Sequence, residues 1–410
     1  MVQREEYLAK LEAWREKQLI KVISGVRRCG KSTLLMQFIK RLKDSGVNED
    51  QIIFINLEDP EFEDLLNHHS LYEYIKKNLS KNKCTYIFID EVQQCIGFEK
   101  AIDGLFIKKN VDLYVTGSNA YLLSGELATL LSGRYIEINM LPLSFAEYLK
   151  LSGHSGNNAP DFRLILNDYI RFGSFPYAAI LGADEGLTRT YIDGIYSTIL
   201  LKDVAKRTGS TDISLLENII KFLSHSVGSP ISAKKICDTL KSSGRKISVN
   251  TVDMYLRNLT DSFIFYYTGR YDIKGRQHLK TLGKYYIVDT GIRNMLLESS
   301  SPDLGHQLEN IVYLELLRRG CRVSTGKLDE AEVDFVVSGV HGADGTGYYQ
   351  VAASVLDPDT LARELSSLRK INDNHPKYLL TLDDIPSRAN HDGIIQMYLI
   401  DWLLDRNPKR

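Results

Sequence analysis

The chain has 410 residues, room for two or three domains at roughly 150 residues each. Lys and Arg total 51 and Asp and Glu total 52, so the formal charge is −1. That balance excludes a chain-wide field for nucleic acid or an anionic membrane, and any nucleic-acid surface has to be a local patch.

The composition is 43% apolar and 25% charged, that of a globular protein rather than a disordered or fibrous one. Cysteines at 29, 84, 95, 237 and 321 form no CxxC pair, which argues against a disulfide framework or a cysteine-rich zinc site. Reduced thiols in a cytoplasmic protein are expected. The start, MVQREEYLAKLEAWREKQ, is too charged for a signal peptide. No apolar run approaches the roughly 18 residues of a membrane span, so no membrane partner is expected.

Leu19–Ser24 reads as a short strand, followed by a Gly-flanked turn and a helix over Ser32–Leu42. Gln51–Leu57, Thr85–Asp90 and Asp112–Thr116 are further apolar runs, and Tyr135–Met140 alternates. Apolar runs separated by helices predict a helix-covered parallel sheet to about residue 148. Residues 153–160 (GHSGNNAP) read as a linker, followed by a helical stretch to about residue 210. Ser214–Ser226, Ser232–Leu240 and a Ser-capped Ser248–Leu259 predict three helices, followed by the β-rich IFYYTGRYD and KYYIVD. Three helices and a hairpin predict a winged helix-turn-helix near 212–290. Beyond it come a helix over Gln307–Arg319, strands at Glu332–Val337 and Tyr348–Ala353, a charged helix Leu361–Ile371, and KYLLTL. The segment 341–347 reads as a turn-rich loop.

Gly25-Val-Arg-Arg-Cys-Gly30-Lys31-Ser32 matches GxxxxGK[ST] between a strand and a helix, the context that a phosphate-binding loop requires. Its glycines let backbone N–H groups wrap phosphates, and the helix start adds positive potential. The expected nucleotide contacts are Gly25, Arg28, Cys29, Gly30, Lys31, Ser32 and Thr33. Lys31 would reach the β- and γ-phosphates of ATP, and Ser32 would ligate Mg²⁺. Asp90 and Glu91 end the apolar strand TYIFID, where strand ends face the nucleotide. Asp90 would support Mg²⁺ and Glu91 would polarise the attacking water. Thr116-Gly-Ser-Asn119 ends the next strand, and Asn119 or Ser118 could sense the γ-phosphate; capping a helix that starts near Tyr121 is the other reading. Arg134 could cross a subunit boundary to a neighbour's γ-phosphate or make a surface salt bridge. Arg27 and Arg28 touch nucleotide or remain solvated. Cys29, at a helix start, has a thiol whose pKa could fall, or is simply a small residue that fits the loop.

GVRRCGKST, TYIFIDEVQ, YVTGSNA and LSGRYIEINMLPLSFAEYL closely resemble the AAA-plus-type P-loop ATPases of bacteria and archaea that carry an uncharacterised C-terminal domain. YIRFGSFPYA resembles the Gly-Gly-Phe-Pro element of that family's lid, with Ser174 where a second Gly is usual, and ILLKDVAKR is similar too. The resemblance covers nearly the whole chain. It implies a sheet in the AAA-plus order, a helical lid, and Arg134 as an arginine finger in a homo-oligomer.

Towards the C-terminus, Glu309 lies on an amphipathic helix, Asp334 in EVDFVV, and Gln350 in the strand after it. A helix Glu, a strand Asp and then Glu-x-Lys is the PD-(D/E)xK nuclease pattern, which needs carboxylates for Mg²⁺ and a Lys for the attacking water. The resemblance implies this nuclease-like fold. Gln350 and Ala352 stand where Glu and Lys are expected, so the site is read as degenerate and the domain as one for binding or regulation; Lys327 precedes the Asp strand and could in principle substitute. The other reading of Glu309 and Asp334 is as packing or capping residues. Lys234, Lys235, Lys241, Arg245 and Lys246 form a basic patch that can contact DNA phosphates, with Arg257 on the would-be recognition helix. Tyr266, Tyr267 and Tyr271 are expected in the hairpin core.

The expected fold is therefore α/β: a P-loop ATPase core to residue 150, a helical lid over 151–211, a winged helix over 212–303 and a nuclease-like unit over 304–410. The expected function is Mg²⁺-dependent ATP hydrolysis that drives or switches the C-terminal parts. The alternatives are a slow nucleotide switch acting as an interaction protein, or a DNA-binding or DNA-processing protein. The partner in the C-terminal parts would be DNA or protein.

Overall fold

The computed structural model describes residues 2–120, 131, 133–152, 161–182, 184–205, 212–297, 303–329, 331–339, 345–384 and 389–406. The expected linker at 153–160, the helix start near Tyr121 and most of the loop at 341–347 lie outside these residues. The chain forms two compact units. One runs to Pro142 and includes 261–263; the other holds 143–260 and 264–410.

The first unit holds helices α1 (Glu5–Ala13), α2 (Lys31–Asp44), α3 (His68–Lys77) and α4 (Phe98–Phe106). Its strands are β1 (Ile20–Ser24), β2 (Ile52–Asn56), β3 (Thr85–Asp90), β4 (Val111–Gly117) and β5 (Tyr135–Asn139). They make one parallel sheet in the order β2-β3-β4-β1-β5. Strand β3 is buried throughout, which is why it reads as a continuous apolar run. Its residues still alternate between two cores. Phe88 stacks on Tyr114 at 4.8 Å and meets Phe38 of α2 at 6.3 Å. Ile87 and Ile89 face the other way, into a cluster with Leu71 and Ile75 of α3 and Ile102 and Leu105 of α4. The register aligns Ser24 with Gly117 and Asn56 with Asp90. The carboxyl ends of β1, β3 and β4 therefore share one edge, the side where ligands meet open parallel sheets.

In the second unit come α5 (Phe145–Leu151), α6 (Phe162–Phe172), α7 (Pro176–Leu181) and α8 (Glu185–Thr198), the last continued by a π-helical turn over Ile199–Ala205. The helices α9 (Ile213–His225), α10 (Ala233–Ser242) and α11 (Val249–Asp261) follow. Ser232 caps α10 through the Lys235 N–H at 3.2 Å, and Ser248 takes the Thr251 N–H at 3.1 Å. Strands β6 (Phe265–Asp272) and β7 (Gln277–Ile287) form the hairpin, then come α12 (Thr290–Leu297) and α13 (Leu304–Arg318). The remaining elements are β8 (Arg322–Leu328), β9 (Ala331–Ser338), β10 (Thr346–Ala352), α14 (Pro358–Arg369), β11 (Lys377–Thr381), β12 (Ala389–His391), β13 (Ile394–Tyr398) and α15 (Leu399–Leu403).

The hairpin is not a free wing. β6 pairs in parallel with β8, so β6 and β7 end an eight-stranded sheet of order β12-β13-β11-β10-β9-β8-β6-β7. That sheet crosses the expected division at 303/304. Tyr267, expected in the hairpin core, is 47% exposed. It leans on Tyr285 at 5.2 Å between ring centres.

The Gly-Ser-Phe-Pro turn between α6 and α7 has a physical reason for both small residues. Gly173 has φ +84°, and a Cβ there would meet Asp289 Oδ1 at 2.2 Å. Ser174 donates its backbone N–H and, at 2.8 Å, its hydroxyl to Asp289 Oδ2. The Ile292 N–H reaches Oδ1 at 3.1 Å. The hydroxyl at position 174 thus binds a fully buried carboxylate ahead of α12.

Candidate functional site

The phosphate loop leaves β1 at Ser24 and enters α2 through Gly30, which has φ +108°. Gly25 is required by space as well, because a Cβ there would meet Met140 O at 2.2 Å. Arg28 is also left-handed, at φ +66°, and exposed, whereas Arg27 is held by Glu58 at 3.0 Å. Lys31 is 4% exposed, and its Nζ donates to Gly25 O at 3.0 Å and Val26 O at 3.3 Å. It also lies 3.6 Å from Glu91 Oε1. Thr33 is half-buried in the first turn of α2.

Cys29 is fully buried, and burial pushes its thiol up. This corrects the expectation of a lowered thiol: Lys31 and Arg4 favour the thiolate, but removal from water outweighs them. The buried Arg4 guanidinium instead ties the loop down, donating to Cys29 O at 3.2 Å and Leu141 O at 2.8 Å.

Asp90 is 1% exposed. It takes hydroxyl hydrogen bonds from Ser32 and Thr116. Burial holds its pKa above the usual carboxylate range, against those two hydroxyls. Glu91 has a left-handed backbone at φ +50°, and its N–H donates to Thr116 Oγ1 at 2.9 Å. Burial would raise the Glu91 carboxyl, but Lys31, the Gln93 amide, Arg27 and the Ser118 hydroxyl together leave it below its ordinary value. One residue of β4, Thr116, therefore ties the tip of β3 into place beside the phosphate loop. Ser118 and Asn119 are both buried just after β4, and Ser118 Oγ accepts from Gln93 Nε2 at 3.3 Å.

The residues fit Mg²⁺ and a nucleotide at this edge. A hydroxyl and a carboxylate, both oxygen donors suited to Mg²⁺, already meet at Ser32 and Asp90. A buried ammonium faces the carbonyls of a glycine loop at a helix start. Arg134 is not part of this cluster in its own chain. Ile20 pairs with Tyr135, so Arg134 sits at the amino end of β5, whereas Ser24 pairs with Asn139 at the edge that carries the loop. Its guanidinium pairs with Asp103 at 2.5 Å and lies 5.6 Å from the Phe106 ring centre.

The second unit brings Glu309, Asp334 and Gln350 together, around a residue that motif reading did not supply. Lys284 of β7 is 2% exposed. Its Nζ lies 3.0 Å from Glu309, 2.7 Å from Glu332 and 3.9 Å from Asp334. Burial opposes the ammonium, but Glu309, Asp334 and Glu332 outweigh it and raise its pKa. Burial and the Glu309 charge push Asp334 well up. Tyr286 donates to Glu309 at 2.6 Å. Gln350 accepts the Asp334 N–H at 3.3 Å and donates to Glu364 at 2.9 Å. These residues do not fit a divalent cation, because the Lys284 ammonium already stands between the carboxylates that would hold it. Among the described residues no group of three or more His, Cys, Asp or Glu forms a metal site. The lysine that stands among these carboxylates is Lys284.

Residues 17–149 match an AAA domain, and residues 163–303 match a domain of unknown function (DUF8612). An uncharacterized protein of Haemophilus influenzae is 40% identical over 408 residues, covering 98% of this chain and 99% of that protein. The chain is an AAA-domain protein of the family to which that relative belongs. The uncharacterized protein MJ1544 of Methanocaldococcus jannaschii is 33% identical over 338 residues, covering 78% of this chain and 72% of its own length. Among solved structures, the Walker-type ATPase paby2304 of Pyrococcus abyssi shares the fold, with a TM-score of 0.53 at 16% identity, covering 72% of this chain and 96% of that one.

Within the AAA domain, the contiguous GxxxxGKS and Asp-Glu motifs lie together at one edge of the parallel sheet. Thr116, Gln93 and Arg4 were missed. Only Thr116 carried a signal, as a polar residue ending an apolar strand. In the second unit, Lys284 of β7 meets Glu332 of β9 through the order of the sheet, and Glu364 reaches Gln350 from α14; no local motif encodes either. No helix among the described residues is long and apolar enough to cross a membrane.

Proposed function

We propose that this AAA-domain protein is an Mg²⁺-dependent ATPase that hydrolyses ATP to ADP and phosphate. The observation that carries the reading is the convergence of Lys31, Ser32, Asp90, Glu91 and Thr116 at the ends of β1, β3 and β4. Lys31 would exchange the loop carbonyls for the β- and γ-phosphates, with backbone N–H groups of 25–33 around them. Ser32 and Asp90 would hold Mg²⁺, which when bound neutralises phosphate charge. Glu91, kept ionised beside Lys31, would accept the proton of the attacking water. Asn119 or Ser118 would sense the γ-phosphate from the tip of β4.

Arg134 would act on the site of a second copy, which makes the working form a homo-oligomer. Its place at the far end of β5 supports this, since it cannot serve its own loop. A slow nucleotide switch is the second reading. It is favoured by the 3.6 Å contact of Lys31 with Glu91, which occupies both groups.

The three helices and hairpin support a winged-helix reading, and the run α13-β8-β9-β10-α14-β11 supports a nuclease-like fold for the C-terminal part. With Lys284 in place, that part would bind or regulate rather than cleave. Lys234, Lys235, Lys241 and Lys246 are exposed and would meet DNA phosphates, whereas Arg245 is held by Ser214 at 2.7 Å. A salt-dependent shift assay tests this, since neutralising the patch should reduce the slope. The five free cysteines support a reducing, cytoplasmic setting.

Isothermal titration with a non-hydrolysable ATP analogue tests the central reading. Lys31→Ala is expected to weaken binding at least about tenfold, with the melting temperature retained, because its charge-assisted contacts go to phosphate. Unchanged affinity would remove ATP from this loop.

A further inference from the structure

Lys31 is not the only group that holds Glu91. Gln93 follows two residues later in a short 3-10 turn, Val92–Gln94. Its Nε2 donates to Glu91 Oε2 and, at 3.3 Å, to Ser118 Oγ. A carboxylate only accepts, so it is the nitrogen of this amide that bonds to Glu91, which leaves the amide oxygen for another donor. That oxygen, Oε1, is buried and has no hydrogen-bond partner among the described residues. An unpaired buried acceptor is costly, and here it stands beside the general base. The Thr116 hydroxyl anchors the Glu91 N–H at 2.9 Å, so the tips of β3 and β4 fix the base and the amide together.

We propose that Gln93 Oε1 is the second acceptor for the water that attacks ATP. The proposal rests on the hydrolysis reading above. A water that donates one O–H to Glu91 and the other to Gln93 has both protons turned to the protein, so its lone pairs face away from both acceptors. In the step, the water oxygen bonds to the γ-phosphorus and the bond from that phosphorus to the β–γ bridging oxygen breaks. The electron pair of that bond leaves on ADP, and one water proton passes to the Glu91 carboxylate. Gln93 gains and loses no proton. It sets the direction of attack, and Ser118, by accepting from its Nε2, keeps the amide from turning over.

Two variants test this by steady-state phosphate release with Mg-ATP, alongside binding of a fluorescent ATP analogue. Gln93→Met keeps the length and removes both amide groups. Gln93→Asn keeps an amide but withdraws it by one methylene, and so guards against a packing fault in the first. Both are expected to lower kcat by about 10- to 100-fold, with nucleotide affinity within about twofold of wild type. Adding Gln93→Met to Glu91→Gln should cost little more, because both groups act on one water. Wild-type kcat in both variants, a loss in affinity rather than kcat, or multiplying effects would overturn the proposal. Absent phosphate release in wild type, or release unchanged in Glu91→Gln, would instead bring down the hydrolysis reading, so the two failures are distinguishable.

Discussion

Asp289 shows how a single side chain decides local structure. It is fully buried ahead of α12, and burial raises its pKa although Ser174, Ile292 and Gly291 donate to it. A carboxyl whose folded pKa is raised gives its full stability below the unfolded value of about 3.9, and loses it as pH rises through the folded value. An Asn in its place has the same shape and does not titrate. The melting temperature of wild type minus that of Asp289→Asn is therefore expected to shrink between pH 4 and pH 7, as read by thermal scans. A gap that widens would reverse the sign and place the carboxylate, not the acid, as the stable form. The residue scale also marks where motif reading ends. Lys31, Ser32, Asp90 and Glu91 were legible because each stands in a short contiguous pattern. Thr116, Gln93 and Asp289 were not, because each acts on a residue brought near by strand register or a turn.

At the scale of elements, strands were more legible than the helices between them. Thr85–Asp90 stood out because a parallel strand covered on both faces is continuously apolar. The helices α1, α3 and α4 carried no assignment, and β8, β12 and β13 escaped too. β12 is three residues long and β13 five, too short for alternation to register. The hairpin was read in place, as a wing with no strand beside it named, yet β6 also supplies an edge that β8 covers. That pairing puts Lys284 among Glu309, Glu332 and Asp334. Removing one partner of a buried ionic cluster leaves uncompensated charge and costs about 3–5 kcal/mol. Lys284→Met is expected to lose that much unfolding free energy in urea at neutral pH. A loss below about 1 kcal/mol would show that the ammonium does not hold these elements together.

At the scale of the whole molecule, the chain forms two compact units with a boundary near Pro142. The parallel sheet was legible because its strands alternate with helices along the sequence. The second unit was not, because its eight-stranded sheet draws strands from both sides of the expected boundary at 303/304. Arg134 belongs to this scale, since the role proposed for it requires a second copy of the chain. Arg134→Ala is expected to bind nucleotide like wild type and to hydrolyse it about 10- to 1000-fold more slowly. Mixed with a Lys31→Ala chain, which carries an intact arginine, it should recover activity in phosphate-release assays; no recovery would confine Arg134 to its pair with Asp103.

The claim that the edge formed by β1, β3 and β4 hydrolyses ATP is tested most directly by phosphate release with Mg-ATP from wild type and Glu91→Gln. Measurable turnover by wild type is expected, with a loss of at least about 100-fold in Glu91→Gln while ATP still binds. Equal rates in the two proteins would contradict it.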